Sequence, residues 1–173
     1  MENQTNFKSI IINNGALLAG ISIMLNLVMY AMGNHFEPHW SVGAISFIAF
    51  IVLIVLAIKK FKQNNGGFLS FGEAVKIGVG IAIFSALLGA IYNFVFMNFI
   101  EPDFLAQVME LQEQKLLDQG MSEEQIEASM AMGQKFSSPL LMAAFGIIGS
   151  AIGGFIVSAI AGAVMKKSEE EQY

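Results

Sequence analysis

Four stretches of this sequence contain no Asp, Glu, Lys or Arg, and each is long enough to cross a lipid bilayer as a helix. A hydrocarbon core about 30 Å thick requires about 20 apolar residues at the rise of an α-helix. Inside lipid the backbone must satisfy its own hydrogen bonds, and the short alternating segments typical of a membrane β-barrel are absent from the sequence. We therefore predict an all-α integral membrane bundle with four transmembrane helices, at about residues 10–32, 41–58, 77–97 and 140–165.

The overall composition agrees with a membrane protein rather than a soluble domain. The chain is 55% hydrophobic and 13% charged, whereas a typical soluble domain has about 25% charged residues. Four spans and their loops use nearly all 173 residues, so we predict a single membrane domain over residues 1–173. The first span is expected to be retained, because it is longer than the apolar core of a cleaved signal peptide. Cysteine is absent, which excludes disulfides and thiolate chemistry.

The lysine residues are distributed unequally between the two sides of the predicted spans. Basic residues accumulate in cytoplasmic loops, so the side with more lysines is predicted to be cytoplasmic. Only Lys115 and Lys135 lie on the other side. We therefore expect both termini in the cytoplasm (N-in, C-in), and residues 33–40 and 101–139 outside. The cytoplasmic side holds Lys8, Lys59, Lys60, Lys62, Lys76, Lys166 and Lys167.

The segment 101–139 is the longest part of the chain outside the predicted spans, and its sequence favours two helices. Pro102 suits a helix start, Gly120 suits a helix end, and Ser122 with Gln125 forms the capping-box pattern of a second helix. The segment contains eight acidic residues and two lysines, a formal charge of −6. We predict an extracytoplasmic acidic helical hairpin. A solvated acidic face is the favoured interpretation, and a dedicated binding surface is the alternative.

Small residues recur at every fourth position in the third and fourth spans. This spacing keeps them on one face of each helix, where the missing side chains let another backbone approach closely. The favoured arrangement packs the third span against the fourth within one molecule, and the alternative is a homo-oligomer or a partner's helix. The predicted packing residues are Gly146, Ser150, Gly154, Ser158 and Gly162 in the fourth span and Gly78, Ala82, Ala86 and Ala90 in the third.

Polar residues within the spans are few and uncharged, and two positions are candidates for a functional role. Asn26 is the deepest polar residue of the first span, although interhelical hydrogen bonding is the commoner role for such an asparagine. Glu73 is the acidic residue nearest to lipid, and with Ser70 it also forms a capping-box pattern at the start of the third span. The two histidines in the loop 35–39 do not match a zinc-protease motif. We expect no catalytic residues, no metal site and no cofactor, and the sequence has no basic patch for nucleic acid.

Four ordered motifs resemble those of a known family. They are LSFGEA at 69–74, NFIEPDF at 98–104, GMSEEQIE at 120–127 and FSSPL at 136–140. On these motifs the chain resembles the membrane-protein family catalogued as domain of unknown function 4199, and the similarity covers essentially the whole chain. The resemblance implies a small four-span protein of the bacterial inner membrane, from Bacteroidota, with no assigned activity and no catalytic residues to carry over.

The sequence indicates no reaction, and we do not expect an enzyme. The leading hypothesis is a non-enzymatic accessory or scaffold subunit that acts through helix–helix contacts and the outer hairpin. The alternative is a small transporter or channel, built as an oligomer because four spans alone enclose little space. Ion-coupled transport usually needs charged residues within the membrane, which these spans do not contain. The expected partners are the lipid bilayer and either a second copy or another membrane protein, without nucleic acid.

The predicted orientation can be tested without background labelling, because the chain has no cysteine. Gln119→Cys, in the outer segment, should react with a membrane-impermeant thiol reagent in cells whose inner membrane is intact. Gln63→Cys, in the cytoplasmic loop, should react only after the membrane is opened. Labelling is read as a mass shift of the protein. The reverse pattern would show that the lysine distribution does not report the orientation.

Overall fold

The structure is a computed structural model that describes the backbone of residues 2–167 and the side chains of residues 7–167. Within this range the chain folds into six α-helices. Four of them are long and apolar enough to cross a membrane, judged by length and composition. The prediction of an all-α fold with four such helices is confirmed. The helices are α1 (Glu2–Ala31), α2 (Trp40–Asn64), α3 (Phe71–Val95), α4 (Phe104–Asp118), α5 (Glu123–Phe136) and α6 (Pro139–Met165).

α2 and α3 extend beyond the predicted spans, where α2 ends and where α3 begins. α2 continues past residue 58 to Asn64, and α3 begins at Phe71 rather than at residue 77. A span defined by the absence of charge ends at the first lysine. A helix need not end there, because a lysine side chain at the membrane edge can extend its ammonium group into water.

The described residues form two compact units, and the first contains the residues up to Gly89 together with those from Ile147 onward. Its core includes side chains from all four long helices. Leu18 of α1 and Ala161 of α6 belong to the same cluster as the isoleucines of α2 and α3. Branched side chains have few rotamers to lose on burial, which suits them to a tightly filled core. The fully buried isoleucines are Ile54, Ile58, Ile77 and Ile81.

The ends of α2 and α6 are joined by polar contacts. Lys62 Nζ donates a hydrogen bond to the Met165 carbonyl at 2.6 Å. The last carbonyls of a helix lack partners within the helix and carry partial negative charge, so an ammonium group is a favourable cap. Just beyond α6, Lys167 and Leu69 exchange two backbone hydrogen bonds of 2.9 and 3.0 Å, which form an isolated antiparallel bridge. The loop between α2 and α3 is thereby fastened to the end of α6.

The second unit, Ala90–Gly146, begins with the last turns of α3. There the helix passes into a π-helical turn over Phe96–Ile100. The amide of Glu101 donates to the carbonyl of Phe96 at 2.8 Å, five residues back rather than the four of an α-helix. The ring of Phe96 is buried and meets the ring of Phe104, at the start of α4, edge to face at a centroid distance of 5.8 Å.

The ends of α4, α5 and α6 follow the capping signals of the sequence. Gly120, after α4, has a φ of +75°, a left-handed conformation that glycine adopts without strain. Ser122 and Gln125 form the predicted capping box, in which the side chain of each accepts a hydrogen bond from the backbone amide of the other. At the start of α6, Ser138 Oγ accepts a hydrogen bond from the amide of Leu141 at 3.2 Å. The turns between these helices are therefore specified locally.

Removing the Lys62 cap is expected to destabilise the first unit. Lys62→Met keeps the apolar stem but deletes the charged donor to the Met165 carbonyl, a loss of about 1.5–3 kcal/mol. Lys59→Met is the matched control, because Lys59 lies on the same helix with an exposed side chain. Thermal unfolding in a neutral detergent should give a lower Tm for Lys62→Met than for the control. Equal Tm values would show that this hydrogen bond does not stabilise the fold.

Candidate functional site

α3 and α6 approach each other closely along a row of small residues. A Cβ atom added to Gly154 would lie 2.6 Å from Ala82 Cβ and 2.8 Å from the carbonyl oxygen of Gly78. A Cβ atom added to Gly78 would overlap the side chain of Ser158 and lie 3.0 Å from the Gly154 carbonyl oxygen. These separations leave no room for a side chain. The two backbones can therefore meet only because glycine occupies both positions.

The contact between α3 and α6 is antiparallel and regular. Each step of four residues along α3 corresponds to a step of four residues back along α6. A Cβ atom added to Gly162 would lie 2.8 Å from Ala74 Cβ, one step from the glycine pair. Ser158 is fully buried, and its hydroxyl is satisfied because it donates to the Gly154 carbonyl of its own helix at 2.5 Å. We call the following pairs the α3–α6 contact: Ala74 with Gly162, Gly78 with Ser158, and Ala82 with Gly154.

The remaining predicted packing residues lie farther along the same two helices. Continuing the register would place Ala86 opposite Ser150 and Ala90 opposite Gly146. Ala86, Ala90 and Ser150 are half-buried. Gly146 is exposed, and a Cβ atom added to it would have no neighbour within 4 Å. The expected close contact at Gly146 is therefore not found, because no other helix approaches it closely enough to require a glycine.

A second close approach, between α1 and α3, is not predicted by the sequence pattern. A Cβ atom added to Gly80 would lie 2.7 Å from Ile11 Cδ1, and one added to Gly15 would lie 2.8 Å from Phe84 Cδ1. Neither glycine belongs to a repeat as long as that of α6, so spacing does not mark it. The presence of a glycine inside a helical apolar run does not identify these contacts, because several other glycines of the long helices lie in such runs and a Cβ atom added to them would meet nothing within 4 Å.

Glu73 is a helix cap at the start of α3. Its Oε2 accepts hydrogen bonds of 2.8 Å from both the backbone amide and the hydroxyl of Ser70. In return the Ser70 hydroxyl accepts a hydrogen bond from the amide of Glu73 at 3.2 Å. The pair satisfies amides that have no partner within the helix, and negative charge is favoured at this end of the helix dipole. The Glu73 carboxylate therefore serves to cap the start of α3.

Asn26, the other polar candidate, lies half-buried on α1. Two asparagines nearer the start of α1 use their side chains within that helix. Asn14 Nδ2 donates to the Ile10 carbonyl at 2.8 Å, and Asn13 Nδ2 donates to the Ser9 hydroxyl at 3.2 Å. Such local bonds satisfy an amide in lipid without linking α1 to another helix.

α4 and α5 enclose a groove of about 750 Å³. Its base is apolar, since Ile126 is buried and Met130 is half-buried. Its edges carry the exposed carboxylates of Glu113, Glu123 and Glu127. None of the lining residues is a lysine or arginine. We call this surface the acidic groove, and its lining residues are Glu113, Leu117, Glu123, Ile126, Glu127, Met130, Ala131 and Gln134.

The acidic groove combines apolar surface with negative charge. Its exposed apolar part, which includes Leu117, gains free energy when it is covered, at about 25 cal/mol per Å² of apolar surface removed from water. Its carboxylates attract cations through a field that salt screens over about 8–10 Å. A ligand that satisfies both must itself have an apolar face and positive charge. The sequence predicted the charge and the caps of these helices, but not the groove between them.

The histidine loop before α2 contributes to local packing and capping. The backbone amide of Ser41 donates to His39 Nδ1 at 3.3 Å, which makes His39 the N-cap of α2. The His35 ring contacts the rings of Tyr30 and Phe36 at centroid distances of 5.0 and 4.0 Å. Among the residues that the structure describes, no group of three or more His, Asp or Glu side chains is placed to hold a metal ion.

The fold defines the class of protein: four helices of transmembrane length and composition in an all-helical chain are the arrangement of a multi-pass helical membrane protein. The chain belongs to the family described as Protein of unknown function (DUF4199), whose model matches residues 13–167. This match confirms the resemblance read from the motifs and covers both the α3–α6 contact and the acidic groove. No curated protein and no solved structure matches the chain.

The α3–α6 contact predicts a sharp difference between two glycines of the same helix. Gly154→Leu should separate α3 from α6, because a Cβ atom alone already collides with Ala82 and the Gly78 backbone. Overpacking of this kind typically destabilises by about 1–3 kcal/mol or more. Gly149→Leu is the matched control, since a Cβ atom there would meet nothing within 4 Å. Thermal unfolding in detergent should show a large loss of stability for Gly154→Leu only. If the two variants are equally stable, the α3–α6 contact does not stabilise the fold.

Proposed function

We propose that this protein is a non-enzymatic accessory or scaffold subunit of the bacterial inner membrane, and that it binds a partner protein through the acidic groove. The observation that supports the proposal is the groove itself, which offers an apolar base between Glu113 on α4 and Glu123 and Glu127 on α5. Grooves with an apolar base and charged edges are a common means of holding a helix of another protein.

The proposal places α4 and α5 outside the cytoplasm as an acidic hairpin, with both termini inside. Seven of the nine lysines lie on the opposite side of the spans, and such a bias favours the cytoplasmic side. The negative charge of the hairpin also keeps it from anionic lipid headgroups, since like charges repel. The groove is then open to a partner in the space outside the inner membrane.

A basic amphipathic helix has the properties that the acidic groove requires. From Glu123 to Gln134 the groove follows about three turns of α5, so it suits a helical segment of similar length. The apolar face of such a helix would cover Leu117, which is 53% exposed in the free protein, and Met130, which is half-buried. Its lysine or arginine side chains would form charge-assisted hydrogen bonds with the carboxylates at the edges.

Contacts within the membrane are the second part of the proposal. α6 presents a row of exposed large apolar side chains, on a helix that buries Gly154 and Ser158 against α3. We propose that this outer face meets lipid and, in an assembly, the helix of a second copy or of a partner. The exposed residues include Phe145, Ile148, Ile152, Phe155, Ile156 and Ile160.

The proposal predicts that charge at the groove edges controls the partner contact. The triple variant Glu113→Gln, Glu123→Gln, Glu127→Gln removes three charges and changes helix propensity little. A photo-crosslinking amino acid at Gln134, which lines the groove, reports its neighbours in the native membrane. The parent protein should crosslink to a defined neighbour, with a yield that falls as salt rises. The triple variant should lose that crosslink while it inserts and folds normally.

A matched variant distinguishes the effect of the charges that line the groove from the effect of the overall negative charge of α4 and α5. Glu110→Gln, Asp118→Asn and Glu124→Gln together remove the same charge from exposed residues of the same helices that do not line the groove. This control should keep the crosslink. If the groove variant crosslinks as the parent does at low and high salt, the groove is not the partner site. Solute flux through liposomes that contain only this protein would overturn the scaffold role in favour of transport.

A further inference from the structure

Seven of the nine lysines belong to four helix ends that meet at one end of the first unit. The rings of Phe7, near the start of α1, and Phe61, near the end of α2, meet edge to face at 5.6 Å. The Lys62 cap joins α2 to the last turn of α6. The α3–α6 contact joins that same turn to the first turns of α3. The lysines carried by these helix ends therefore lie at the same end of the first unit, although they are far apart in sequence.

These lysines differ in what their side chains do. Lys62 is half-buried and caps α6. Lys167 forms the backbone bridge to Leu69, and its Nζ stands 5.7 Å from the centroid of the Phe68 ring. Those two lysines serve the fold. Lys167 is exposed, as are the other five, which are Lys8, Lys59, Lys60, Lys76 and Lys166.

The exposed lysines of α2 and α3 lie at a similar depth beside an apolar surface. Lys59 follows Ile58 and Lys76 precedes Ile77, and both isoleucines are fully buried in the same core. One turn before Lys60, the side chain of Leu56 is 52% exposed, so this face is apolar just below the lysines. A lysine at such a boundary lays its stem along the apolar surface and extends its ammonium group to the level of lipid headgroups.

Among the side chains that the structure describes at this end, Glu73 is the acidic one. Glu73 lies in the first turn of α3, and its carboxylate already accepts two hydrogen bonds from Ser70. Near an anionic bilayer surface, each lysine strengthens association by roughly fivefold. A cluster of exposed ammonium groups at the edge of an apolar surface is therefore complementary to the phosphate groups of lipids.

We propose that Lys59, Lys60 and Lys76, with Lys8 and Lys166 beside them, form a lysine surface that binds anionic phospholipids of the leaflet that this end faces. The ligand is the lipid headgroup phosphate, held while the acyl chains lie along the apolar sides of α2 and α3. This inference is independent of the partner proposed for the acidic groove, because it rests on different residues of the other unit.

Lipid titration of the purified protein tests the lysine surface. Phosphatidylglycerol and phosphatidylcholine are each added to the full chain in a neutral detergent, and bound lipid is counted by native mass spectrometry. The parent should bind phosphatidylglycerol more tightly than phosphatidylcholine. The variant Lys59→Gln, Lys60→Gln, Lys76→Gln should lose about 10- to 100-fold in affinity for phosphatidylglycerol. The corresponding variant with arginine at all three positions keeps the charge and should bind as the parent does.

Two controls make the result decisive. Lys115→Gln with Lys135→Gln removes the two lysines of the other unit and should leave binding unchanged. All variants keep Glu2 and the three glutamates at 169–171, whose side chains lie outside the described residues, so differences between variants do not arise from them. Equal Tm values in neutral detergent show that the glutamine variant is folded. Undiminished binding by the folded glutamine variant would overturn the proposal, as would displacement of the lipid by millimolar inorganic phosphate.

Discussion

The close backbone contact between α3 and α6 is the interaction on which the arrangement of the first unit depends. In lipid an apolar side chain gains little by moving from acyl chains to another helix, so helices associate through van der Waals contact and hydrogen bonds. Gly78 and Gly154 make that contact available by removing side chains where the backbones meet. Ser158, which lies opposite Gly78, fits this buried contact because its hydroxyl donates a hydrogen bond to the Gly154 carbonyl of its own helix. The isoleucines of α2 and α3 then fill the space beside this contact.

The lipid environment also explains why the described charged side chains of the four long helices lie near helix ends. An unsatisfied donor or acceptor in hydrocarbon is costly, so each end needs a partner close by. Lys62 of α2 caps α6, Glu73 caps the start of its own helix α3, and His39 caps α2. Charge is thereby kept out of the apolar interior and concentrated on two surfaces of opposite sign. Those two surfaces are the ones for which we propose ligands of opposite charge.

The sequence predicted features that depend on local composition and missed those that depend on where helices meet. The four long helices and the Ser122 capping box followed from runs and patterns within a few residues. Gly146 has the right spacing but meets nothing, whereas Gly80 has no long repeat and meets Ile11. The spacing of residues in the sequence shows on which face of a helix they lie. It does not show whether another helix packs against that face. For the same reason the acidity of α4 and α5 was evident, while the groove that Ile126 lines required their mutual placement.

The π-helical turn at Phe96–Ile100 has a consequence for how this family can diversify. Each residue of an α-helix turns the chain by about 100°, so one residue gained or lost in this turn changes the direction in which the chain leaves α3 toward α4. A π-turn is the form in which a helix absorbs such an added residue without breaking. The chain must nevertheless return through α6 to the α3–α6 contact. The length of the segment between α3 and α6 is therefore tied to the register of that contact.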